Sequence, residues 1–456
     1  MLSRGSSRIS GRTASSVGVR TRQALWAVAG VTALGFLVLL EMATRRYGLP
    51  GPLTNQVAEV IRRPKSAALL YAGMALTMVV LTWRQRFIAV GAAIGIDVVL
   101  ALVRWAFGVG GAEGYPFGNG ALWVMLGCGV IAVTRRTGRE RVLLLKGVGL
   151  GLLLVAGRKT GDTWLLITAK SRPEVLDPYV AAADHALGNP SWVAGRIVEA
   201  TGTVGAHVLH AVYGQLAVAA VVVSLYQLRN VAVERRFPAH HLVRTFLVIG
   251  LLGPAVYMIF PVVGPVFAYG TGAFGTGSAH WAVAELWPHT PPAVGSPHPV
   301  TYDMITPRNC MPSLHTAWAT AIFIHSRKAP RPMRVAGTFW LVATLAATLG
   351  FGYHYGIDLI AGVVFTLTIE TVLRAYDHGW DRQAVRLIAY GAGVFTALLL
   401  SVRYIPVEMA GHPLVAGPLL LLALAMMIHG YVRTTSRWEP EAVPPAPRAE
   451  PRLEPA

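Results

Sequence analysis

Twelve long apolar segments occur along the chain, and they constrain its fold more than any other feature. A helix that crosses a bilayer needs about 20 predominantly apolar residues. Hydrophobic residues make up 54% of the 456 positions and charged residues only 14%, which excludes a disordered chain and argues against an ordinary soluble enzyme. The sequence therefore predicts an all-α, polytopic membrane helical bundle of about twelve spans, at 24–42, 66–83, 87–104, 120–134, 142–157, 203–228, 242–263, 311–326, 334–353, 355–375, 386–402 and 413–432.

The distribution of positive charge predicts how this bundle is oriented. Lys and Arg number 40 against 22 Asp and Glu, a formal net charge of +18. With the N-terminus inside, the predicted cytoplasmic segments hold 26 of the 40 basic residues, although the outside loop 43–65 holds five. Cytoplasmic loops carry such an excess, so both termini are expected in the cytoplasm. Because the basic residues are spread over many short loops rather than one face, no nucleic-acid partner is expected.

The first motif with chemical potential is RNCMPSLHTAW at 308–318. Pro312 suits the first turn of a helix, and the apolar run after it is the eighth predicted span. Ser313 and His315 are therefore expected at the N-terminus of that helix, on the outer side. Backbone N–H groups and the positive end of the helix dipole favour an anion such as phosphate there. Arg308 lies just before and is the cation nearest to this position in the sequence.

The second motif is GYHYGIDLIAG at 352–362. His354 and Asp358 are four residues apart, so on a helix they would share one face. A carboxylate there can hold the imidazole in one tautomer and stabilise its cationic form. His315 and His354 are separated by 39 residues, which corresponds to about two crossings of roughly 20 residues each. The chain would enter through the eighth span and return through the ninth, so both histidines are expected at the same outer face.

Two histidines, an aspartate, a serine and an arginine near a helix N-terminus favour a phosphoryl-transfer site. One imidazole can attack phosphorus and form a phosphohistidine. The other can protonate the leaving oxygen. An arginine and backbone amides can stabilise charge on the equatorial oxygens. No metal or other cofactor is expected, since no carboxylate cluster points to one.

Together the two motifs resemble the second and third motifs of the type 2 phosphatidic acid phosphatase and haloperoxidase superfamily, where PSLH is followed by H-x-x-x-D. The PSLH and HYGIDLIAG forms and the upstream YMIFPVVGP at 257–265 are most similar to the inositol phosphotransferase branch, which includes the inositol phosphorylceramide synthases. The resemblance covers about 142–375, which contains six predicted spans.

The resemblance implies a role for each motif residue. His315 would be the acid, His354 the nucleophile, Asp358 its partner and Ser313 a phosphate contact. The substrate would be a lipid phosphate, and a metal-independent histidine mechanism would cleave or transfer its phosphoryl group at the extracytoplasmic face of the cell membrane. Inositol or another alcohol can take the place of water as acceptor, and the motif residues do not distinguish hydrolase from transferase.

The sequence departs from the superfamily pattern at two phosphate-binding cations. The first superfamily motif, K-x6-R-P, is absent: Arg172-Pro173 has Leu165 where the Lys should be and lies two spans too early. The Arg that precedes the third-motif His by six residues is Thr348. Other cations are therefore expected to hold the phosphate: first Arg308, then Arg158 and Lys159 at the outer end of the fifth predicted span.

Five regions are expected along the chain. A six-span phosphatase-type core would occupy 142–375, preceded by accessory membrane helices over 24–135. The regions at the two ends and beyond the core would be a basic cytoplasmic tail at 1–23, two additional spans at 386–432 and a Pro-rich disordered tail at 433–456.

The remaining polar residues of the spans receive more ordinary interpretations. His207, His210 and Tyr213 follow one another at intervals of three residues and are expected to pack and form hydrogen bonds on one helix face. Cys310 has no evident base and is expected to be inert. A non-catalytic membrane transporter or lipid-binding protein remains an alternative to the enzyme, because twelve spans also suit a transporter.

Overall fold

The structure, a computed structural model, describes residues 31–54, 62–108, 114–269, 296–301 and 306–438, together with residues 28, 60 and 294. The predicted tail at 1–23 and most of the one at 433–456 lie outside these residues. The helices in chain order are α1 (31–46), α2 (Ala67–Met78), α3 (Trp83–Phe107), α4 (Asn119–Thr134), α5 (Gly138–Ser171), α6 (Asp177–Asp184), α7 (Pro190–Ala200), α8 (Gly202–Gly214), α9 (Leu216–Leu228), α10 (Val231–Glu234), α11 (Leu242–Ile259), α12 (Pro265–Ala268), α13 (Leu314–Ser326), α14 (Arg331–Gly350), α15 (Gly356–His378), α16 (Arg382–Tyr404), α17 (Pro406–Gly411) and α18 (Pro413–Ser436).

The all-α, polytopic membrane bundle predicted from the sequence is confirmed. Each of the twelve predicted apolar segments contains helix. Within the described residues, seven helices are long and apolar enough to cross a membrane: α3, α9 continued through α10, α11, α14, α15, α16 and α18. The sixth predicted segment, 203–228, is two helices that meet at Gln215. Gly214 precedes this break and weakens helix locally, a detail that uniform hydropathy conceals.

The chain divides into two compact units. The N-terminal unit comprises 1–173 with 229–236 and 302–307, and the C-terminal unit comprises 174–228, 237–301 and 308–456. Helix α5 therefore belongs to the N-terminal unit, whereas both sequence motifs belong to the C-terminal unit.

Small residues and buried polar groups hold the N-terminal unit together. Gly73 of α2 and Gly151 of α5 face each other so closely that a Cβ on Gly151 would lie 2.4 Å from the carbonyl oxygen of Gly73. Asp97 of α3 accepts the backbone N–H groups of Gly118 at 2.9 Å and Gly120 at 2.8 Å, and so satisfies the N-terminus of α4. Arg104 of the same helix donates to Asn119 Oδ1 at 3.0 Å, so both polar residues of α3 bind the beginning of α4.

Helices α13 and α15 form the centre of the C-terminal unit and run parallel. The N–H of Ser313, just before α13, donates to the carbonyl of Asp358 at 3.1 Å, and one turn deeper Thr366 Oγ1 donates to the carbonyl of Ala317 at 3.1 Å. A Cβ on Gly362 would lie 2.5 Å from the Ser313 carbonyl oxygen, so only glycine permits this approach. Close packing places the beginnings of both helices side by side.

The surroundings of α15 complete the apolar core of this unit. Buried apolar side chains of α6, α15, α16 and α18 pack into one cluster. A short antiparallel pair, β1 (Glu174–Val175) and β2 (His298–Pro299), adds the only strands among the described residues. Helices α16 and α18, to which the sequence assigned no catalytic role, therefore pack against α15, the helix that carries Asp358.

Candidate active site

The first motif contains the beginning of helix α13, as expected, but Pro312 lies before the helix rather than in its first turn. Ser313 is the N-cap residue, and its Oγ accepts the N–H of Thr316 at 3.3 Å. Its side chain is fully buried. The hydroxyl therefore satisfies an N–H that the helix cannot, and its predicted contact with phosphate stays a prediction. His315 lies in the first turn, and its side chain is half-buried.

His354 lies in the loop before α15 rather than on a helix, which corrects the expectation from the sequence. Helix α15 begins at Gly356 because Asp358 Oδ2 accepts the N–H of Tyr355 at 2.8 Å and caps the helix. The same Oδ2 lies 3.5 Å from Nδ1 of His354. The two side chains still lie close together, because His354 in the loop folds back over the first turn of α15.

The two histidines lie next to each other, as the two crossings predicted. The ring centroids of His315 and His354 are 6.5 Å apart. Tyr213 of α8 stacks on His315 with centroids 4.1 Å apart, and its hydroxyl lies 3.1 Å from Nδ1 of that histidine. Tyr213 thus holds the His315 ring in place. The expectation that Tyr213 packs and forms hydrogen bonds is met, but its partner is a motif residue 102 positions away.

Cys310 is an additional member of the site. Its Sγ donates to Asp358 Oδ2 at 2.8 Å and lies 3.3 Å from Nδ1 of His354. Burial, with a smaller effect of the Asp358 charge, raises the pKa of this thiol well above its usual value. The sequence indicated no base beside Cys310, because the carboxylate it contacts is 48 positions away. The thiol is a poor nucleophile here, but it competes with His354 for the same carboxylate oxygen.

Two buried carboxylates of α6 hold the site segments, and sequence reasoning missed both. Asp177 accepts the N–H groups of Val263 at 2.9 Å and Gly264 at 2.8 Å, and its Oδ1 accepts the Tyr355 hydroxyl at 2.9 Å. Asp184 accepts the N–H of Ile357 at 2.9 Å. One short helix therefore ties the 261–265 segment and the beginning of α15 together. An Asp-Pro pair at 177–178, typical of a helix start, was the available signal.

Burial sets the protonation of groups around the site that lie outside the spans. Removal from water raises the pKa of Asp177 to about 6 and that of Asp184 to about 7, against hydrogen bonds that favour the ionised forms. Burial also lowers the pKa of His354 to about 3. The imidazole is therefore neutral at neutral pH, the form in which a histidine can act as a nucleophile.

The predicted phosphate-binding cations have different positions. The guanidinium of Arg308 is fully buried, and its Nη2 donates to the carbonyl of Val300 at 2.7 Å. Arg158 and Lys159 lie on α5 in the N-terminal unit, where Arg158 pairs with Asp162 at 3.0 Å. The structure thus places Arg308 in the unit of the histidines, and the role of all three cations stays a prediction.

Thr348 stands where the superfamily pattern has an Arg. It is fully buried, and its backbone carbonyl accepts the N–H groups of Tyr353 at 3.1 Å and His354 at 3.2 Å. Gly264 also approaches this loop, since a Cβ on it would lie 2.3 Å from the Tyr353 carbonyl oxygen. In this chain the position therefore shapes the loop that carries His354.

Two groups of side chains within the described residues have the donor atoms and spacing to hold a metal ion. One consists of Cys310, His354 and Asp358, and in each group the candidate ligand atoms lie within 4.8 Å of one another. The other consists of His240, His325 and Glu370. The second group was not anticipated from the sequence.

The carboxylate of Glu370 is saturated with partners, although Nδ1 of His240 in the same group has none among the described residues. Glu370 is fully buried, and its oxygens lie 2.8 Å from Nε2 of His240 and 2.8 Å from Nε2 of His325. The hydroxyl of Thr245 also donates to it, and Nε of Arg374 lies 3.3 Å away. Because Arg374 balances its charge and several donors satisfy its oxygens, this cluster has the character of a structural ion pair.

Comparisons with known proteins agree with the motif assignment. Residues 179–372 match the PAP2 superfamily, and residues 24–167 match a domain of unknown function (DUF5933). No curated protein and no solved structure matches the chain. Members of the PAP2 superfamily are phosphatases and phosphotransferases. The match and the apolar helices therefore support a membrane protein of the phosphatase type that acts on phosphoric esters, and the inositol phosphotransferase branch stays a prediction.

Proposed function

We propose that the protein is an integral membrane lipid phosphatase or phosphotransferase that works through a phosphohistidine. The observation that carries this proposal is the assembly of His315, His354 and Asp358 at the parallel N-termini of α13 and α15. The superfamily match over 179–372 supports it.

The orientation of each ring suggests which atoms react. Nδ1 of His354 faces Asp358 Oδ2, so Nε2 attacks phosphorus while Nδ1–H is stabilised by the carboxylate. Nδ1 of His315 faces the Tyr213 hydroxyl, so we assign proton transfer to its Nε2. The bond from phosphorus to the leaving oxygen breaks as the bond from phosphorus to Nε2 forms. His315 gives its proton to that oxygen.

The second half of the reaction reverses these roles. His315, now neutral, takes a proton from water or from an acceptor alcohol as that oxygen attacks the phosphohistidine. The phosphorus–nitrogen bond breaks, and His354 returns to its starting form. The phosphate would lie at the N-terminus of α13 near Ser313. Arg308 is the first candidate for its cation, because it is a buried guanidinium of the same unit and lies five residues before Ser313 in the chain.

The same site serves water and alcohols, so the acceptor distinguishes hydrolase from transferase. Purified protein is offered a panel of lipid phosphates, and release of inorganic phosphate is compared with formation of a phosphodiester when inositol or another alcohol is added. We expect His354→Ala to lose all turnover and all acid-labile phosphoprotein, whereas His315→Ala still forms phosphoprotein from a nitrophenyl phosphate, whose leaving group needs no proton. The mechanism is wrong if His354→Ala retains turnover. Lipid movement across a bilayer that survives loss of both histidines would favour the transporter or lipid-binding alternative.

We also propose that the site faces the extracytoplasmic side and that both termini are cytoplasmic. The connection from α13 to α14 and the end of α15 lie at the other end of these helices, and they carry basic residues at 327–334 and 374–386. Such residues favour the cytoplasmic side. An impermeant thiol reagent applied to intact cells checks this with single cysteines placed at Thr301 and, as the control, at Lys328. Labelling of the second position alone contradicts the orientation.

A further inference from the structure

The thiol of Cys310 completes a set of three donor atoms inside the candidate site. The distances are 2.8 Å from Sγ to Asp358 Oδ2, 3.3 Å from Sγ to His354 Nδ1, and 3.5 Å from that Nδ1 to the same Oδ2. A tetrahedral zinc ion with ordinary bond lengths to sulfur, nitrogen and oxygen separates its ligand atoms by about 3.3–3.6 Å. The two distances that involve Nδ1 are therefore already close to the spacing of a metal site, and the distance from Sγ to Oδ2 would have to open by about 0.7 Å.

The electrostatic surroundings of these donors also favour a cation. Asp358 Oδ1 is buried and has no hydrogen-bond partner in the structure. Tyr355 contacts two carboxylates, since its hydroxyl donates to Asp177 at 2.9 Å and its N–H to Asp358 at 2.8 Å. Asp184 accepts the N–H of Ile357, the residue next to Asp358, so three buried carboxyl groups share one poorly solvated region. A bound cation would stabilise the ionised forms of all three.

We propose that Cys310, His354 and Asp358 bind a thiophilic divalent cation of the Zn²⁺ class, and that this binding inhibits the enzyme. The thiol gives its proton to solvent as the bond from sulfur to the metal forms. Nδ1 of His354 becomes a ligand as its proton moves through solvent to Nε2, and Oδ2 of Asp358 becomes the third ligand. The nucleophilic lone pair of Nε2 is then occupied by the proton, and the carboxylate no longer stabilises the imidazole during attack. Mg²⁺ does not act in this way, because it prefers oxygen ligands. The inhibition rests on the proposed function, whereas the binding does not.

The second cluster lacks the arrangement that a metal needs. Gln227 Oε1 accepts the N–H of Leu242 at 2.9 Å, so its amide nitrogen is the atom that lies 2.9 Å from Nδ1 of His325. Nδ1 therefore accepts a hydrogen bond, and the proton of the neutral ring is on Nε2, where it is donated to Glu370. Arg374 beside Glu370 further disfavours a second cation there.

Binding is tested on the purified full-length protein with Cd²⁺ alone, because thiolate ligation of Cd²⁺ has an ultraviolet charge-transfer absorption. We expect a saturable absorption in the wild type and in Cys128→Ala, which removes the chain's other cysteine. In Cys310→Ala and Cys310→Ser the absorption should disappear. Cys310→Ser keeps the side-chain size, so unchanged thermal unfolding of this variant separates loss of the ligand from loss of the fold. A signal that persists in both Cys310 variants, or is absent from the wild type, overturns the site.

Inhibition is tested with Zn²⁺ during turnover of a lipid phosphate, each variant being compared with its own metal-free activity. We expect the inhibitory concentration to rise by about 100-fold in Cys310→Ser and to stay unchanged in Cys128→Ala, a shift that corresponds to about 2.7 kcal/mol. Mg²⁺ at the same concentration should not inhibit. Cadmium absorption at Cys310 without inhibition overturns the regulatory part and leaves the proposed function intact. Wild-type protein without turnover on any lipid phosphate contradicts the proposed function, while the absorption still decides whether the metal site exists.

Discussion

The C-terminal unit contains two buried polar clusters on the same pair of helices, and they differ in how completely their carboxylates are satisfied. Asp358 and Glu370 both belong to α15, 12 residues or about 18 Å apart along the helix axis. On α13, His315 belongs to the cluster at the Asp358 end and His325 belongs to the cluster around Glu370. Glu370 is surrounded by two histidines, a hydroxyl and an arginine, whereas one oxygen of Asp358 has no hydrogen-bond partner among the residues that the structure describes.

This difference makes the Asp358 cluster, and not the Glu370 cluster, the candidate active site. A buried carboxylate whose oxygens all have partners has little capacity for a ligand, and breaking its ion pair is costly. An incompletely satisfied carboxylate, such as Asp358 beside the buried His354 imidazole, can still bind a substrate group or an ion. Burial alone does not separate the clusters, since both carboxylates are fully buried.

The sharpest test exchanges each carboxylate for its amide. We expect Asp358→Asn to lower turnover of a lipid phosphate by on the order of 10³-fold or more, because the amide cannot hold or stabilise the His354 imidazolium. Glu370→Gln, on the same helix, should retain most of its turnover per folded molecule. Steady-state rates at equal concentrations of folded protein check this, and equal losses in both variants would show that the two clusters do not differ in function.

The histidines of α13 provide a second matched pair. His315→Ala should reduce turnover by about 10²–10⁴-fold, the usual contribution of general acid–base catalysis. The loss should be smaller with a nitrophenyl phosphate, whose leaving group needs no proton. His325→Ala should show no such dependence on the leaving group. The measurement is kcat/KM for both substrates in both variants, because this ratio reports formation of the phosphohistidine and not the later attack of water, in which His315 is the base. An equal loss of kcat/KM with both substrates in His315→Ala contradicts its assignment as the acid.

The free energy of unfolding should rank the two carboxylate variants in the opposite order to turnover. Glu370→Gln leaves Arg374 and two histidines around a neutral amide, and we expect a loss of about 3–5 kcal/mol in the free energy of unfolding. Asp358→Asn should cost less, because fewer groups depend on its charge. Thermal or denaturant unfolding in detergent measures both variants, and a greater loss for Asp358→Asn would identify Asp358 as the structural carboxylate.

The pH dependence of stability gives a smaller but independent test at the Asp358 end. Asp184 has an ordinary pKa of 3.8 that burial raises to about 7. Because the folded-state value is the higher one, its contribution to stability is present below about pH 4 and is lost as the pH rises through about 7. The wild type should lose stability relative to Asp184→Asn in this window, by about 1 kcal/mol per pH unit at the steepest point. Parallel unfolding curves for the two proteins between pH 4 and 7 would contradict the raised pKa.

The sequence by itself determined the class of fold and the neighbourhood of the motif residues. Apolar segments can be counted because the thickness of a bilayer sets the length of a span. The same length predicted that two crossings return His354 to His315, and their rings do lie 6.5 Å apart. The PSLH and H-x-x-x-D motifs indicated the superfamily that the match at 179–372 supports.

Only the tertiary structure decided which other groups share the site and how each carboxylate is satisfied. Cys310 reaches Asp358 across 48 positions, Tyr213 reaches His315 across 102, and His240 reaches Glu370 across 130. Hydropathy and motif spacing describe local and periodic properties of the sequence. They therefore do not predict contacts between residues that are far apart in the chain. Packing of α13 against α15 over Gly362 sets these distances, and the distances rather than the residue types separate the candidate active site from the structural ion pair.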